Sequence, residues 1–357
     1  MRTIRVLVVE DSLTARKLLV EVLTANPDIE VVGEAPDGKR GIELCQQLRP
    51  DVVTLDMMLP VMSGLAATEY IMANCPTPIL IVSSSTNRGE VFKTYDALAA
   101  GAVDVLEKPT GDEPDGVWES EFMAKVRMVS QIRVITHLRP RLVGNVRGFS
   151  PEPVTSVRRM PGPSGYDVVA IGTSTGGPAA SVEILRNLPA DFPLPILLVI
   201  HIGSTFGTFL ADWLDSQSEL TVSYAQDGMP LSPVAGGRVL MAPPDRHLVV
   251  CNGHLHLTRD PERHSCRPSV DALFESLALS MGRRTIACLL TGMGRDGAQG
   301  LLAVRGAGGR TLAQDRDSSA VFGMPQEAIR LGAAQDVLPL REFAPTLVSL
   351  AANTSKV

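Results

Sequence analysis

The run Ile4-Arg5-Val6-Leu7-Val8-Val9-Glu10-Asp11-Ser12 sets an apolar, β-branched stretch directly against two carboxylates. A near-continuous apolar run of this length reads as a strand buried on both faces, the pattern of a parallel sheet. The rhythm repeats downstream. Apolar runs recur at residues 29–32, Val52–Leu55, 79–82 and 103–106, with amphipathic stretches such as 15–23 and 41–48 between them. Strands alternating with helices predict a doubly wound, five-stranded parallel α/β sheet. A helical pattern over 118–138 closes the unit, so residues 1–138 are expected to form one domain.

The ends of these strands carry chemistry. Glu10 and Asp11 end the first strand and Asp56 the third. Ser83 ends the fourth, and Lys108 ends the fifth within Glu107-Lys108-Pro109. In a parallel sheet all of these point into one crevice at the carboxyl edge. Glu10, Asp11 and Asp56 make a hard oxygen set suited to Mg²⁺. Asp56, on the central strand, is the best-placed nucleophile toward a phosphoryl group. Lys108 and the metal would neutralise the transferred oxygens, and the Ser83 hydroxyl would bond the phosphorylated product.

Residues 139–164 read as a linker, rich in Pro, Gly, Ser and Arg and without a period. Its arginines Arg141, Arg147, Arg158 and Arg159 could meet an acidic surface, although a solvated tether is the simpler reading. A second α/β domain is expected over 165–357, with a mainly parallel sheet. Strands are read at 167–171, 195–200 and 285–290, and shorter ones at Arg238–Met241, His247–Cys251 and His254–Thr258. The last two form a hairpin across Asn252-Gly253.

The first strand of that domain runs into Gly172-Thr173-Ser174-Thr175-Gly176-Gly177-Pro178, a match to G-x-S-x-G. Small residues at a strand-to-helix turn let one serine stand exposed beside helix N-terminal amides. The match is weak alone, because Gly-rich turns also bind phosphates. His201 directly follows the strand over 195–200, and Asp296 lies in the loop after 285–290. Three strand ends thus deliver Ser174 as nucleophile, His201 as base and Asp296 as the group that orients the base. The order Ser…His…Asp differs from that of the common α/β-hydrolases, so another fold is expected to carry the same chemistry. The amides of Thr175 and Met293 are candidate oxyanion donors. His247 could line the site and is the rival base. His254 and His256 alternate on a strand, His264 lies in a charged loop, and His137 sits near the linker. Asp296 could instead be a plain Asp-Gly turn residue capping the next helix.

Composition narrows the function class. Hydrophobic residues are 45% and charged residues 20%, which fits globular domains. The net charge of -6 opposes general binding to nucleic acid or an anionic membrane. No signal peptide and no membrane span is expected, and five scattered cysteines without a CxxC pair fit reduced thiols in the cytoplasm.

Residues 1 to about 125 resemble a two-component receiver domain through Glu10, Asp11, Asp56, Ser83 and Lys108-Pro109. The resemblance implies a flavodoxin-like fold, Mg²⁺ at the phosphorylation site and a chemosensory histidine kinase as phosphodonor. Val105 stands where that family often carries a switching aromatic, which bears on the route of the signal. Residues 168–338 resemble the chemotaxis-type protein-glutamate methylesterases through 171–178, His201, Arg267-Pro268-Ser269-Val270-Asp271, 290–297 and Val321-Phe322-Gly323-Met324-Pro325. That resemblance implies demethylation of glutamates on chemoreceptor cytoplasmic helices and, in some members, deamidation of receptor glutamines. It carries the catalytic roles onto Ser174, His201 and Asp296, with Thr175 and Met293 near the oxyanion and no metal in hydrolysis. It also implies a receiver that blocks the site until Asp56 is phosphorylated. The chain departs from the usual motif at Ile200-His201-Ile202-Gly203 and Pro243-Pro244, which bears on the shape of the substrate groove. The rivals are a non-catalytic regulator, a DNA-binding regulator and a hydrolase of another ester or amide. No basic recognition helix follows the linker.

Overall fold

The computed structural model describes residues 3–84, 87–109, 111, 114, 116–132, 134, 165–231 and 237–352. The expected linker over 139–164, with the domain boundaries it sets, and His137 lie outside the described residues.

The N-terminal unit alternates strands β1 (Ile4–Val9), β2 (Ile29–Ala35), β3 (Val52–Leu55), β4 (Ile79–Ser83) and β5 (Asp104–Glu107) with helices α1 (Leu13–Thr24), α2 (Gly38–Leu48), α3 (Gly64–Asn74), α4 (Arg88–Ala99) and α5 (Val117–Val129). Its strands pair in parallel in the order β2-β1-β3-β4-β5. The chain reverses direction across the sheet beside β1 and β3, where a crevice opens at the strand carboxyl ends. Helix starts follow local chemistry. Ser12, Asp37, Ser63 and Asn87 each accept an amide hydrogen bond from the third residue onward, as N-caps do.

The C-terminal unit contains β6 (Val168–Thr173), α6 (Gly177–Arg186), β7 (Ile196–Ile200), α7 (Ser204–Gly207), α8 (Leu210–Gln217), β8 (Thr221–Tyr224), β9 (Arg238–Met241), β10 (His247–Cys251), β11 (His254–Thr258), α9 (Val270–Ser280), β12 (Thr285–Leu289), α10 (Ala298–Gly306), β13 (Arg310–Gln314), α11 (Met324–Arg330), β14 (Asp336–Leu338) and α12 (Phe343–Ala352). Seven strands form one parallel sheet in the order β14-β13-β12-β6-β7-β9-β8. The strand carrying the Gly-rich turn, β6, is therefore central, between β12 and β7. The β10–β11 hairpin stands apart as an antiparallel pair that turns at Asn252 (φ 50°) and Gly253 (φ 75°). Positive φ at both turn residues matches the right-handed twist of the flanking strands.

Several expected elements differ at their ends. β2 runs to Ala35, past the expected end at 32, and β6 continues through Gly172 and Thr173. The longer β6 places Ser174 immediately after the last paired residue. The helix expected over 118–138 ends at Val129 among the described residues.

The central strands β3, β4, β6, β7 and β12 are buried along their whole length, as apolar runs covered on both faces must be. One apolar cluster spans the two units. It joins Val91, Tyr95 and Leu98 of α4 to Leu185 of α6 and Trp213 and Leu214 of α8. The rings of Tyr95 and Trp213 meet with centroids 5.2 Å apart.

Candidate active site

The three expected catalytic side chains reach the same edge of the seven-stranded sheet. Backbone bonds tie the three strand ends together. Ser174 N donates to the Thr291 carbonyl at 3.0 Å and His201 N to the Thr173 carbonyl at 3.0 Å. The Thr173 hydroxyl donates to the same Thr291 carbonyl at 2.7 Å. Gly292 is required by this closeness, because a Cβ there would lie 2.8 Å from the Ser174 Cβ.

His201 Nε2 lies 2.9 Å from Asp296 Oδ2. A carboxylate can only accept, so Nε2 carries a proton, and in the neutral ring the lone pair lies on Nδ1. Nδ1 faces Cys266 Sγ at 3.6 Å. No hydrogen bond joins Ser174 to His201 among the described residues, and Nδ1, the ring nitrogen not held by Asp296, contacts Cys266 instead. Asp296 is 2% exposed, and the turn entering α9 surrounds it. Its Oδ1 accepts from the Ser269 hydroxyl at 2.8 Å and Asp271 N at 3.1 Å, and its Oδ2 also accepts from Val270 N at 2.7 Å. Burial opposes ionisation of Asp296, but these donors and His201 outweigh it and hold the carboxyl below its ordinary range. Burial likewise opposes a charged His201, and the bonds to Asp296 and Cys266 outweigh it, so its pKa rises above 6.5. The pair therefore favours an imidazolium, the species a base must become during proton transfer.

The other histidines are placed elsewhere. His247 is buried, with Nδ1 accepting from Ser269 N at 3.1 Å and Nε2 3.2 Å from the Pro261 carbonyl. Both of its nitrogens are engaged, so it lies behind Ser269 as a support. His264 Nε2 lies 3.2 Å from the buried Asp271 Oδ2. His254 and His256 lie on β11, His254 bonded to the Asn252 carbonyl and His256 3.6 Å from Asp227. The Thr175 and Met293 amides donate no hydrogen bond among the described residues, which leaves both available to a substrate oxygen.

In the N-terminal crevice, Lys108 Nζ bridges Glu10 Oε1 at 2.9 Å and Asp56 Oδ2 at 2.8 Å. Asp56 Oδ1 accepts from Met57 N at 2.6 Å. Burial and the nearby Asp56 raise the Glu10 pKa even against Lys108. Oxygen atoms of Glu10, Asp11 and Asp56 lie within 4.8 Å of one another. Crowded carboxylates, one of them resisting ionisation, form a donor set that a small divalent cation would relieve. Ser83 is buried at the end of β4, beside this crevice in the sheet.

The two units touch next to the hydrolase edge. The Tyr95 hydroxyl donates to the Phe206 carbonyl, five residues after His201. Trp213 Nε1 donates to Asp96 Oδ1 at 2.9 Å, and Arg88 pairs with Asp212 at 3.0 Å. Met128 Sδ at the end of α5 lies 3.9 Å from the Thr175 hydroxyl, one residue from Ser174.

Residues 169–347 match the family model described as CheB methylesterase, and residues 6–114 match the response regulator receiver domain. A protein of Anaeromyxobacter dehalogenans (strain 2CP-C), named protein-glutamate methylesterase/protein-glutamine glutaminase 2, is 43% identical over 98% of this chain and 97% of its own length. The chain belongs to the CheB methylesterase family. A Myxococcus xanthus (strain DK1622) relative, protein-glutamate methylesterase/protein-glutamine glutaminase 4, is 42% identical over 97% of this chain and 96% of its own. The crystal structure of the Thermotoga maritima CheB methylesterase catalytic domain is 41% identical, with a TM-score of 0.49, and covers 52% of this chain and 98% of that one. The receiver resemblance and the methylesterase resemblance are thus both borne out at the level of family. Among the described residues, no helix is long and apolar enough to cross a membrane.

Sequence reasoning missed three partners of the CheB-like edge. Ser269 and the α9 amides hold Asp296, Cys266 faces His201, and Tyr95 reaches Phe206. Ser269 could have been found as a cap, since Ser-Val-Asp opens an apolar helical run. The contacts of Cys266 and Tyr95 join residues 65 and 111 apart, and no local pattern signals them.

Proposed function

We propose that the chain is a phosphorylation-activated serine hydrolase that removes methyl esters from glutamate side chains of methyl-accepting chemoreceptors, releasing methanol. The observation that carries the hydrolase reading is the His201–Asp296 pair at 2.9 Å, at the same sheet edge as Ser174. In this reading the Ser174 oxygen attacks the ester carbonyl while its proton passes to His201 Nδ1. The developing oxyanion lies against the amides of Thr175 and Met293. His201 then returns the proton to the leaving methoxide, and methanol departs. Water, deprotonated by the same nitrogen, attacks the acyl-serine, the proton passes from His201 to the departing Ser174 oxygen, and the glutamate acid released ionises to its carboxylate. Asp296 keeps its negative charge throughout and stabilises the imidazolium.

The regulatory half rests on the receiver crevice and on the contacts between the units. Asp56 accepts the phosphoryl group from a chemosensory histidine kinase. Glu10, Asp11 and Asp56 would hold Mg²⁺, which supplies positive charge against the phosphoryl oxygens. Lys108 neutralises the transferred group and Ser83 bonds it. Met128 against Thr175, and Tyr95 against the Phe206 carbonyl, support a receiver that occludes the hydrolase edge at rest. Phosphorylation relieves that block. The route runs through α4 and α5, in a chain with Val105 at the usual aromatic position.

The test is methanol release from membranes carrying methylated chemoreceptors of the same organism, with and without acetyl phosphate and Mg²⁺. Release that rises with the donor is expected. No release under either condition would reject the substrate, and release indifferent to the donor would reject the control.

A further inference from the structure

Ser269 sits where two devices share one residue. Its hydroxyl accepts from Ala272 N at 3.3 Å, which caps α9, and donates to Asp296 Oδ1 at 2.8 Å. Its own amide donates to His247 Nδ1 at 3.1 Å, so a buried imidazole fixes it from behind. Ser269 is fully buried and Asp296 is 2% exposed. A carboxylate buried this deeply, if it lost one donor, would keep an unpaired lone pair at the full cost of its desolvation. The neighbouring amides of Val270 and Asp271 bond the same carboxylate, so the hydroxyl and the helix start act as one clamp.

We propose that Ser269 is a positioning residue of the hydrolytic reaction, acting through Asp296 to hold His201 by Nε2, so that Nδ1 is the nitrogen that takes the Ser174 proton. This rests on the hydrolase reading above. Ser269 touches no reacting atom. It fixes which way the Asp296 oxygens point, and so which imidazole nitrogen the carboxylate holds. The charged and titratable groups around the pair are Cys266 at His201 and Asp271, His264 and Arg263 around Asp296, with His247 behind Ser269.

A residue that served only as a helix cap would behave differently, and substitution separates the two. Glycine caps a helix within a few tenths of a kcal/mol of serine, yet offers no hydroxyl to Asp296. The full-length chain is compared with Ser269→Gly, Ser269→Ala, Ser269→Thr and Ser174→Ala in methanol release across pH, each with its melting temperature. Ser269→Gly is expected to lose kcat by roughly ten- to a hundredfold, the scale of one hydrogen bond to a charged group. KM should change little. The acid limb of the rate profile should move to higher pH, because an Asp296 with fewer donors pulls harder on the His201 proton. Ser269→Thr, which keeps the hydroxyl, should recover most of the rate. A glycine variant with wild-type kcat and an unmoved acid limb overturns the proposal and leaves a cap. Should the alanine variant melt early, the glycine and threonine variants decide. A wild-type chain no faster than Ser174→Ala would sink the hydrolase reading itself, and this inference with it. An active wild type isolates the question to Ser269.

Discussion

Asp56 and Asp296 are both buried aspartates at the carboxyl edge of a parallel sheet, and they are held in opposite ways. Asp296 accepts from Ser269, Val270 and Asp271 and pairs with His201, so each of its oxygens is committed. Asp56 accepts from Met57 and Met58 on one oxygen, while the other meets a single lysine beside two more carboxylates. A carboxylate saturated with neutral and cationic donors stays ionised and still, which suits an orienting group. One crowded by like charges and held by a movable lysine can take on a new bond and re-pair. Fold position brings both aspartates to an edge, and the donors around each decide what it can do.

The sharpest way to break this comparison is to delete the proposed nucleophile and base. Ser174→Ala and His201→Ala are each expected to cut methanol release by about 10⁴- to 10⁶-fold, and by similar factors, because such groups act as a unit. His247→Ala should cost far less, and an equal loss would move the base to His247. The second contrast is between the aspartates themselves. Asp296→Asn should abolish most activity with or without phosphodonor, on the order of 10⁴-fold. Asp56→Asn should keep basal release and lose only its stimulation by acetyl phosphate. Stimulation that survives in Asp56→Asn would remove Asp56 from the switch.

A third prediction concerns pH. The His201 pKa is raised, so the base is protonated and idle over a wider range than an ordinary histidine would be. The kcat/KM of the wild type should therefore fall as pH drops, with its midpoint above 6.5. A midpoint at or below that value would mean that Asp296 and Cys266 do not outweigh burial. The smallest effect is expected at the seam between the units. Tyr95→Phe removes the bond to the Phe206 carbonyl and should weaken docking by about 1 kcal/mol. Basal release should rise by a few-fold without phosphodonor, and an unchanged basal rate would show that this bond does not restrain the receiver.

Much of this was legible from strand ends. The alternation from Ile4 to Leu106 points to the first sheet, and the placement of Ser174, His201 and Asp296 after apolar runs points to one shared edge. The strands Thr221–Tyr224, Arg310–Gln314 and Asp336–Leu338 were not foreseen. They lie toward the edges of the sheet and carry polar residues, so they lack the continuous apolar signature of β6 or β7. The clamp on Asp296 was hidden for another reason. Ser269 and Asp296 are 27 residues apart, and their contact exists only once α9 has packed against the sheet.

The aromatic seam of Tyr95 and Trp213 has one more consequence. These rings belong to the same dry cluster as both sheets, so parting the two units wets them. Opening therefore works against the solvent as well as against hydrogen bonds, and that resistance grows with the apolar area uncovered. Under the proposed control by phosphorylation, water itself would restore the closed state once the phosphoryl group is lost. The seam would then act as a return spring, wound by the phosphodonor and released by hydrolysis of the aspartyl phosphate.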